Sequence, residues 1–316
     1  MKKLFLACLF ACYTLMCAAQ LRPEDNTVAI VAYWQPGDQL VLKSGITRSK
    51  VNPDGTSEVT AQALQTITLR VLEETEKTYI VRISYSDILN SGTEGNIVNE
   101  LAAAISGNIT YDIETDQLGV VQRLANPDET LKAMRDKVPA LVDGVLAKYD
   151  KKTIAEQGVD RDDIVARFSG IFDDVSFISD NYNKYLLPLF RYHGHRFTLD
   201  HEYVDDMNYY DVLDLGTLDL DTTYYFDSED TDKYYTYVGS LAVADKEQMK
   251  PYAEALDADD LELTFEEVSS LKIDLNTGWP NDLYNKRTVH MFDPETGEKM
   301  DLVWETGVTD RRNIGK

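Results

Sequence analysis

TSEVTAQALQTITLRVLEETEKTYIVRISYSDI, Thr56 to Ile88, decides the fold class. In its first half Leu64, Thr66 and Thr68 alternate with Gln65, Ile67 and Leu69, a period of two with mixed faces. Glu76-Lys77 turns the chain, and Tyr79, Val81, Ile83 and Tyr85 then share one face of the next run. Two long strands joined by so short a turn pair antiparallel.

Upstream, NTVAIVAYW is rich in β-branched and aromatic residues and stops at Pro36-Gly37. DQLVLKSGITRSKV follows, and the turn NPDG (Asn52 to Gly55) joins it to the opening stretch. Downstream, NIVNELAAAIS reads as a helix ended by Gly107, and NITYDIETD with VVQRL as a hairpin turning at residues 117–119. NPDETLKAMRDKV is the clearest helix start. Asn126 is placed to cap it, Pro127 suits the first helical position and Glu129 can reach back to the cap. Leu131, Met134, Val138, Leu141, Val142 and Val145 recur at helical spacing, and Pro139 predicts a kink. A second helical stretch, with Ile164, Phe168, Ile171 and Val175 in register as core, runs from about Asp160 towards Pro188. From Phe190 the chain returns to strands. KYYTYVGSLAVA, LELTFEEVSSLKIDL and the hairpin LYNKRTVHMF–DPETGE–KMDLVWET are interrupted by one short amphipathic helix, DKEQMKPYAEALDA, and by the turn NTGWPN.

The fold class is therefore α+β, with long antiparallel strands forming a curved sheet or half-barrel and a helical block in the middle of the chain. We divide the sequence into a leader (1–19), an N-terminal β-meander (20–125), a helical block (126–190) and a C-terminal β-rich part (191–316), with 20–316 as one composite domain. The strand–turn–strand units NITYDIETDQLGVVQRL and SSLKIDLNTGWP give this order a resemblance to the half-barrel carriers of the bacterial envelope, the family of the periplasmic lipoprotein carrier. The resemblance covers most of the chain after the leader, and the helical block here is larger. It implies an apolar concavity able to hold an apolar ligand.

The first residues read as a secretory signal peptide. MKK is a basic head, LFLACLFACYTLM an apolar run of 13 residues, and CAA before Gln20 supplies the small residues for cleavage after Ala19. All three cysteines (Cys8, Cys12 and Cys17) fall inside it, so the exported chain carries no disulfide or thiolate site. Lipid anchoring at Cys12 or Cys17 is the weaker alternative. No apolar run reaches the roughly 20 residues of a membrane span. The net charge of −24 makes nucleic acid and anionic lipid surfaces poor partners, while leaving cationic partners and divalent ions open. The expected location is the periplasm or the secreted fraction.

Three of the four histidines lie within FRYHGHRFTLDHEYVDD, Phe190 to Asp206. Read as one strand from 191 to 205, it puts His193, His195 and His201 on the face that also carries Phe197 and Leu199. His193 and His195 then stand about 7 Å apart, and His201 about 20 Å beyond. A metal site at His193/His195 needs a carboxylate from another strand, and the alternative is hydrogen-bonded structural histidines. HEYVD departs from the helical zinc motif, because Asp205 stands where its second histidine belongs. His290 shares a face with Lys286 and Thr288.

Nucleophile-elbow, phosphate-loop and dinucleotide motifs do not occur, and DLDLDTTYYFDSED lacks the glycine and spaced glutamate of a calcium loop. Between Tyr182 and Tyr237 lie 11 of the 19 tyrosines, and the doublets Tyr209-Tyr210, Tyr224-Tyr225 and Tyr234-Tyr235 each place one ring on each face of a strand. Tyrosine suits both recognition surfaces and half-buried strands. The leading functional reading is a non-enzymatic exported protein that binds an apolar ligand or a protein partner on its curved sheet and carries no cofactor. A metal-binding protein or metal-dependent hydrolase using His193 and His195, and carbohydrate binding through segment 182–237, are the competing readings.

Overall fold

The computed structural model describes residues 20–90, 96–211, 217–253, 258 and 260–310. The leader and its cleavage point lie outside them. Eleven strands form one antiparallel sheet. Five come before the helical block: β3 (Gln39–Val51), β4 (Ser57–Glu74), β5 (Thr78–Asn90), β6 (Thr110–Asp116) and β7 (Val121–Ala125). Six come after it: β9 (Tyr203–Asp211), β10 (Thr217–Phe226), β11 (Tyr235–Ala244), β12 (Glu262–Asp274), β13 (Pro280–Phe292) and β14 (Lys299–Asp310). The spatial order is β7-β6-β5-β4-β3-β14-β13-β12-β11-β10-β9. Each half is a meander of neighbours in sequence, and a single non-local pairing, β3 on β14, welds them together. A small second sheet has the order β1 (Leu21–Arg22), β2 (Thr27–Ala29) and β8 (Arg196–Thr198).

The α+β reading with a curved, unclosed sheet holds. The curl follows from two adjacent amides. Ala32 N–H donates to the Leu118 carbonyl in the β6–β7 turn (3.0 Å), and Tyr33 N–H donates to the Thr277 carbonyl in the β12–β13 turn (3.1 Å). Six strand steps separate β6 from β12, about 29 Å on a flat sheet at ~4.8 Å per step. Neighbouring backbone amides lie only about 4 Å apart, which brings the two turns within about 10 Å of each other. The sheet therefore rolls towards itself at this end, while β7 and β9 remain free of any ladder to each other.

The inside of the roll is filled by the chain's own helices. These are α1 (Ile97–Ser106), α2 (Pro127–Leu146), α3 (Lys151–Glu156), α4 (Arg161–Gly170), α5 (Ser176–Tyr185) and α6 (Leu187–Phe190). They bury Ile97, Leu101, Leu131, Met134, Val138 and Phe168 against Leu40, Ile67, Leu69, Val81, Ile83 and Tyr111 of the sheet. Tyr79, Val81, Ile83 and Tyr85 all face this core, as their alternation predicts. A second, smaller core lies further along β11–β13, where α7 (Lys246–Ala253) seats Met249 and Ala253 on Phe265, Val289 and Met291.

Several local expectations are corrected. Asn126 does not cap α2 with its side chain. Its backbone is left-handed (φ 50°), so the extended geometry that lets a cap side chain reach the first-turn amides is lost. Pro139 lies inside α2, which continues past it to Leu146 with Val138 and Val142 buried on either side. The stretch from Asp160 is not one helix. Asp160 caps α4 through the amides of Asp162 and Asp163, but the helical register ends at Gly170. Phe172 then takes the core position, leaving Ile171 and Val175 exposed.

Candidate functional site

Residues 191–205 do not form one strand. A turn occupies 191–194 with Gly194 at φ +80°, β8 is three residues long, and Asp200 adopts φ 58° while its carboxylate accepts the Ser228 amide. The histidines consequently point to different places. His193 is buried, with Nδ1 3.1 Å from the Phe190 carbonyl and Nε2 2.8 Å from the Gly278 carbonyl. His195 is exposed, and His201 is exposed with its ring 4.8 Å from that of Tyr203. His290 lies across from Asp301 on β14, with Nδ1 2.8 Å from the carboxylate. Among the described residues no group of three or more His, Cys, Asp or Glu side chains is placed to share a metal.

His193 is a keystone of the curl. Its ring packs beside Trp34 and Phe190, and Trp34 stacks on Trp279 at 4.3 Å. Two glycines make the approach feasible. At Gly119 (φ +91°) a Cβ would lie 2.6 Å from the His193 ring, and at Gly278 (φ +74°) one would lie 2.3 Å from the Val31 carbonyl. Burial holds the imidazole below its ordinary pKa, against the opposing pull of the two carbonyls and of Asp116.

The surface that stands out lies on the opposite, outer side of the strands. Strand register carries one row straight across eight of them: Tyr225, Gly239, Ser270, Tyr284, Gly307, Gly45, Leu64 and Leu89. The neighbouring row begins with Val204, Thr223, Leu241 and Val268, and Val243 stands one place further along β11. Val204 is 65 % and Leu89 66 % exposed, and Tyr225, Leu241, Val243, Val268 and Tyr284 are exposed as well. The Tyr225 ring lies 3.3 Å from where a Gly239 Cβ would be, so the glycine is roofed by the aromatic ring of the next strand. On the same face Lys272 sits over the rings of Tyr235 (4.2 Å) and Tyr237 (5.2 Å). Tyr284 donates its hydroxyl to Glu305 (2.8 Å).

The tyrosine doublets divide as strand geometry requires. Tyr225 and Tyr235 belong to the outer face. Tyr224 faces inward, 5.5 Å from Tyr203 and 5.3 Å from Tyr192, in a cluster with Phe197 and Phe226. Tyr234 is exposed at the β10–β11 connection with Lys233 over its ring. The side chains of Tyr209 and Tyr210 lie outside the described residues. Leu241, Val243, Val268, Tyr284 and the glycines were not singled out from the sequence. The available signal was YVGSLAVA itself, a strand apolar on both faces instead of alternating.

No family model matches the chain, and no curated protein matches it in sequence. Solved structures that it resembles include lipovitellin, described for its lipid–protein interactions, at 8 % identity and a TM-score of 0.38, over 88 % of this chain and 25 % of that one. The chain thus spans about a quarter of that protein's length. Another is Ail, the attachment invasion locus protein of Yersinia pestis, at 4 % identity and a TM-score of 0.17, over 87 % and 97 % of the two chains. Neither likeness is strong enough to say what this chain binds. No helix among the described residues is long and apolar enough to cross a membrane.

Proposed function

We propose that this is an exported, non-enzymatic binding protein of the bacterial envelope or secreted fraction, which takes a protein partner on the outer face of its curved sheet. The observation that carries this reading is the set of exposed apolar side chains, Val204, Tyr225, Leu241, Val243, Val268 and Tyr284, that the register gathers on one face of five neighbouring strands. Apolar surface of this kind on a sheet marks an interaction site. An apolar centre with tyrosines, rimmed by charges such as Lys286 and Asp221, has the anatomy of a protein interface. A small apolar ligand prefers a concave pocket, and the concave apolar rows of this sheet are covered by its own helices. The net charge of −24 opposes a second copy as the occupant and favours a partner with a basic rim.

The test is a native mass spectrum of the protein purified gently from its own envelope fraction, compared with Leu241→Lys/Val268→Lys. A partner mass carried by the wild type and lost from the variant supports the reading. A heterogeneous added mass in the lipid range, insensitive to the variant, replaces the partner with an apolar ligand. One added metal ion, lost in His195→Ala, moves the function to the histidines. Self-association that survives in 0.5 M salt, above the ionic strength at which surface charge is largely screened, makes a second copy the occupant.

A further inference from the structure

In the middle of the outer row two glycines stand opposite each other in register, Gly307 on β14 and Gly45 on β3. Neither has a positive φ, so the backbone does not require glycine at either position. Crowding does not require it either. A Cβ at Gly307 would meet nothing within 4 Å, and one at Gly45 would meet only Leu64 Cδ2, at 3.3 Å, the far end of a flexible side chain. Glycine weakens the interior of a strand, and where the fold has no need of it, it marks a place that a ligand or another chain approaches closely. The pair leaves bare backbone in the row between Tyr284 and Leu64, which stand three strand steps or about 14 Å apart.

The groups beside this gap have a specific chemistry. Tyr284 donates its hydroxyl diagonally to Glu305 (2.8 Å), two residues before Gly307 on the same face of β14. Glu305 is half-buried, and among the described residues no cation pairs with it. Lys286, opposite it in register, stays out of ion-pair range. Elsewhere on this face the chain serves its own rings, with Lys272 over Tyr235 and Tyr237. Tyr284 is 44 % exposed, and among the described residues no cation lies over it. An open aromatic ring, a carboxylate without a cation and a floor free of side chains thus stand together. The neighbouring row runs Leu241, Val268, Lys286 and Glu305, so exposed apolar side chains lead up to the gap.

Building on the outer-face reading above, we propose that the gap is a socket for an arginine side chain of the protein partner. The guanidinium pairs with Glu305 and stacks on the Tyr284 ring. Its apolar stem lies along the bare backbone at Gly307, towards Leu64. Lysine fits less well, because its ammonium is a point charge that neither forks onto a carboxylate nor stacks flat. The partner segment carries apolar residues beside the arginine, to meet Leu241 and Val268. The net charge of −24 favours the approach of such a basic segment.

The purified protein is titrated in about 0.15 M salt with a fluorescein-labelled peptide, leucine–serine–arginine–serine–leucine, following anisotropy. The same peptide with citrulline or lysine in place of arginine is the control. We expect saturable binding of the arginine peptide, at least about ten-fold weaker with citrulline and weaker with lysine. Glu305→Gln should weaken it about ten-fold, while Asp221→Asn, the same change of charge on β10, leaves it unchanged. Gly307→Thr should abolish saturation while the thermal midpoint holds or rises, since a β-branched residue suits a strand better than glycine does. A Gly307→Thr protein that binds as well as wild type overturns the proposal, and so does one of lowered midpoint, because the glycine would then serve the fold. Equal losses in Glu305→Gln and Asp221→Asn, equal binding of the citrulline peptide, or no saturation up to about 5 mM overturn it as well. The outer-face reading is tested separately by the native spectrum of Leu241→Lys/Val268→Lys: a partner lost there and kept by Gly307→Thr removes the socket alone.

Discussion

Strands β11 and β12 carry apolar side chains on both faces, and the two faces have opposite fates. Inward, Ala242, Ala244, Phe265 and Leu271 are buried under helices. Outward, Leu241, Val243 and Val268, their immediate neighbours, stand in solvent. Hydrophobicity is nearly the same on the two sides. What separates core from interface is whether the chain supplies its own cover. Here the cover is the helical block and α7, and it goes to one side only.

If that distinction is right, the largest loss comes from the point where the cover is pinned to the roll. Trp34 is buried against Tyr79, Phe190, His193 and Trp279, and its Nε1 has no hydrogen-bond partner. Trp34→Ala therefore removes packing alone, and a cavity of this size costs about 3–5 kcal/mol. Urea unfolding should show it. A loss under about 1 kcal/mol would mean that the curl is held elsewhere.

A smaller effect distinguishes the keystone by pH. A neutral imidazole has one N–H, so His193 satisfies only one of its two carbonyls, and burial keeps its pKa below the ordinary value of 6.5. As pH falls below that ordinary value the unfolded chain takes up a proton that the native state refuses, and stability drops. The slope cannot exceed about 1.4 kcal/mol per pH unit for one group. Unfolding of wild type and His193→Gln between pH 7 and 5 should differ by this component, with the variant the flatter. A wild type that gains stability on acidification, relative to the variant, would show that the two carbonyls hold an imidazolium.

The sequence carried the local part of this structure. Alternation gave β5 its inward Tyr79, Val81, Ile83 and Tyr85, and turn chemistry gave the NPDG and Gly297 reversals, the latter at φ +75°. Three things were not legible there, for one physical reason each. The turn within 191–205 depends on Asp200 entering the left-handed region, which a neighbouring Ser228 amide rewards only after folding. The curl depends on hydrogen bonds from Ala32 and Tyr33 to turns far away in sequence. The outer row continues from the C-terminal strands onto the N-terminal ones only through the β3–β14 register, which places Gly45 beside Gly307. Local patterns specify strands. Sites on a sheet are specified by register, which here joins residues about 260 positions apart.

The smallest expected effect sharpens the comparison most, because it sets the two faces of one strand against each other. Leu241 and Ala244 lie on opposite faces of β11. Ala244→Ser puts a hydroxyl into the second core opposite Phe265, where an unpaired buried polar group costs about 1–3 kcal/mol. Leu241→Ser removes a larger apolar side chain, yet one that water already reaches, and surface changes of this kind stay within about 0.5 kcal/mol. Urea titrations of the two variants should therefore rank opposite to the apolar volume removed. Leu241→Ser should also lower the binding of a hydrophobic dye, since it erases part of the exposed patch. Equal destabilisation by the two would mean that the outer face of β11 is covered in solution, and the partner surface would then have to be sought at Leu64 and Leu89 across the glycine gap.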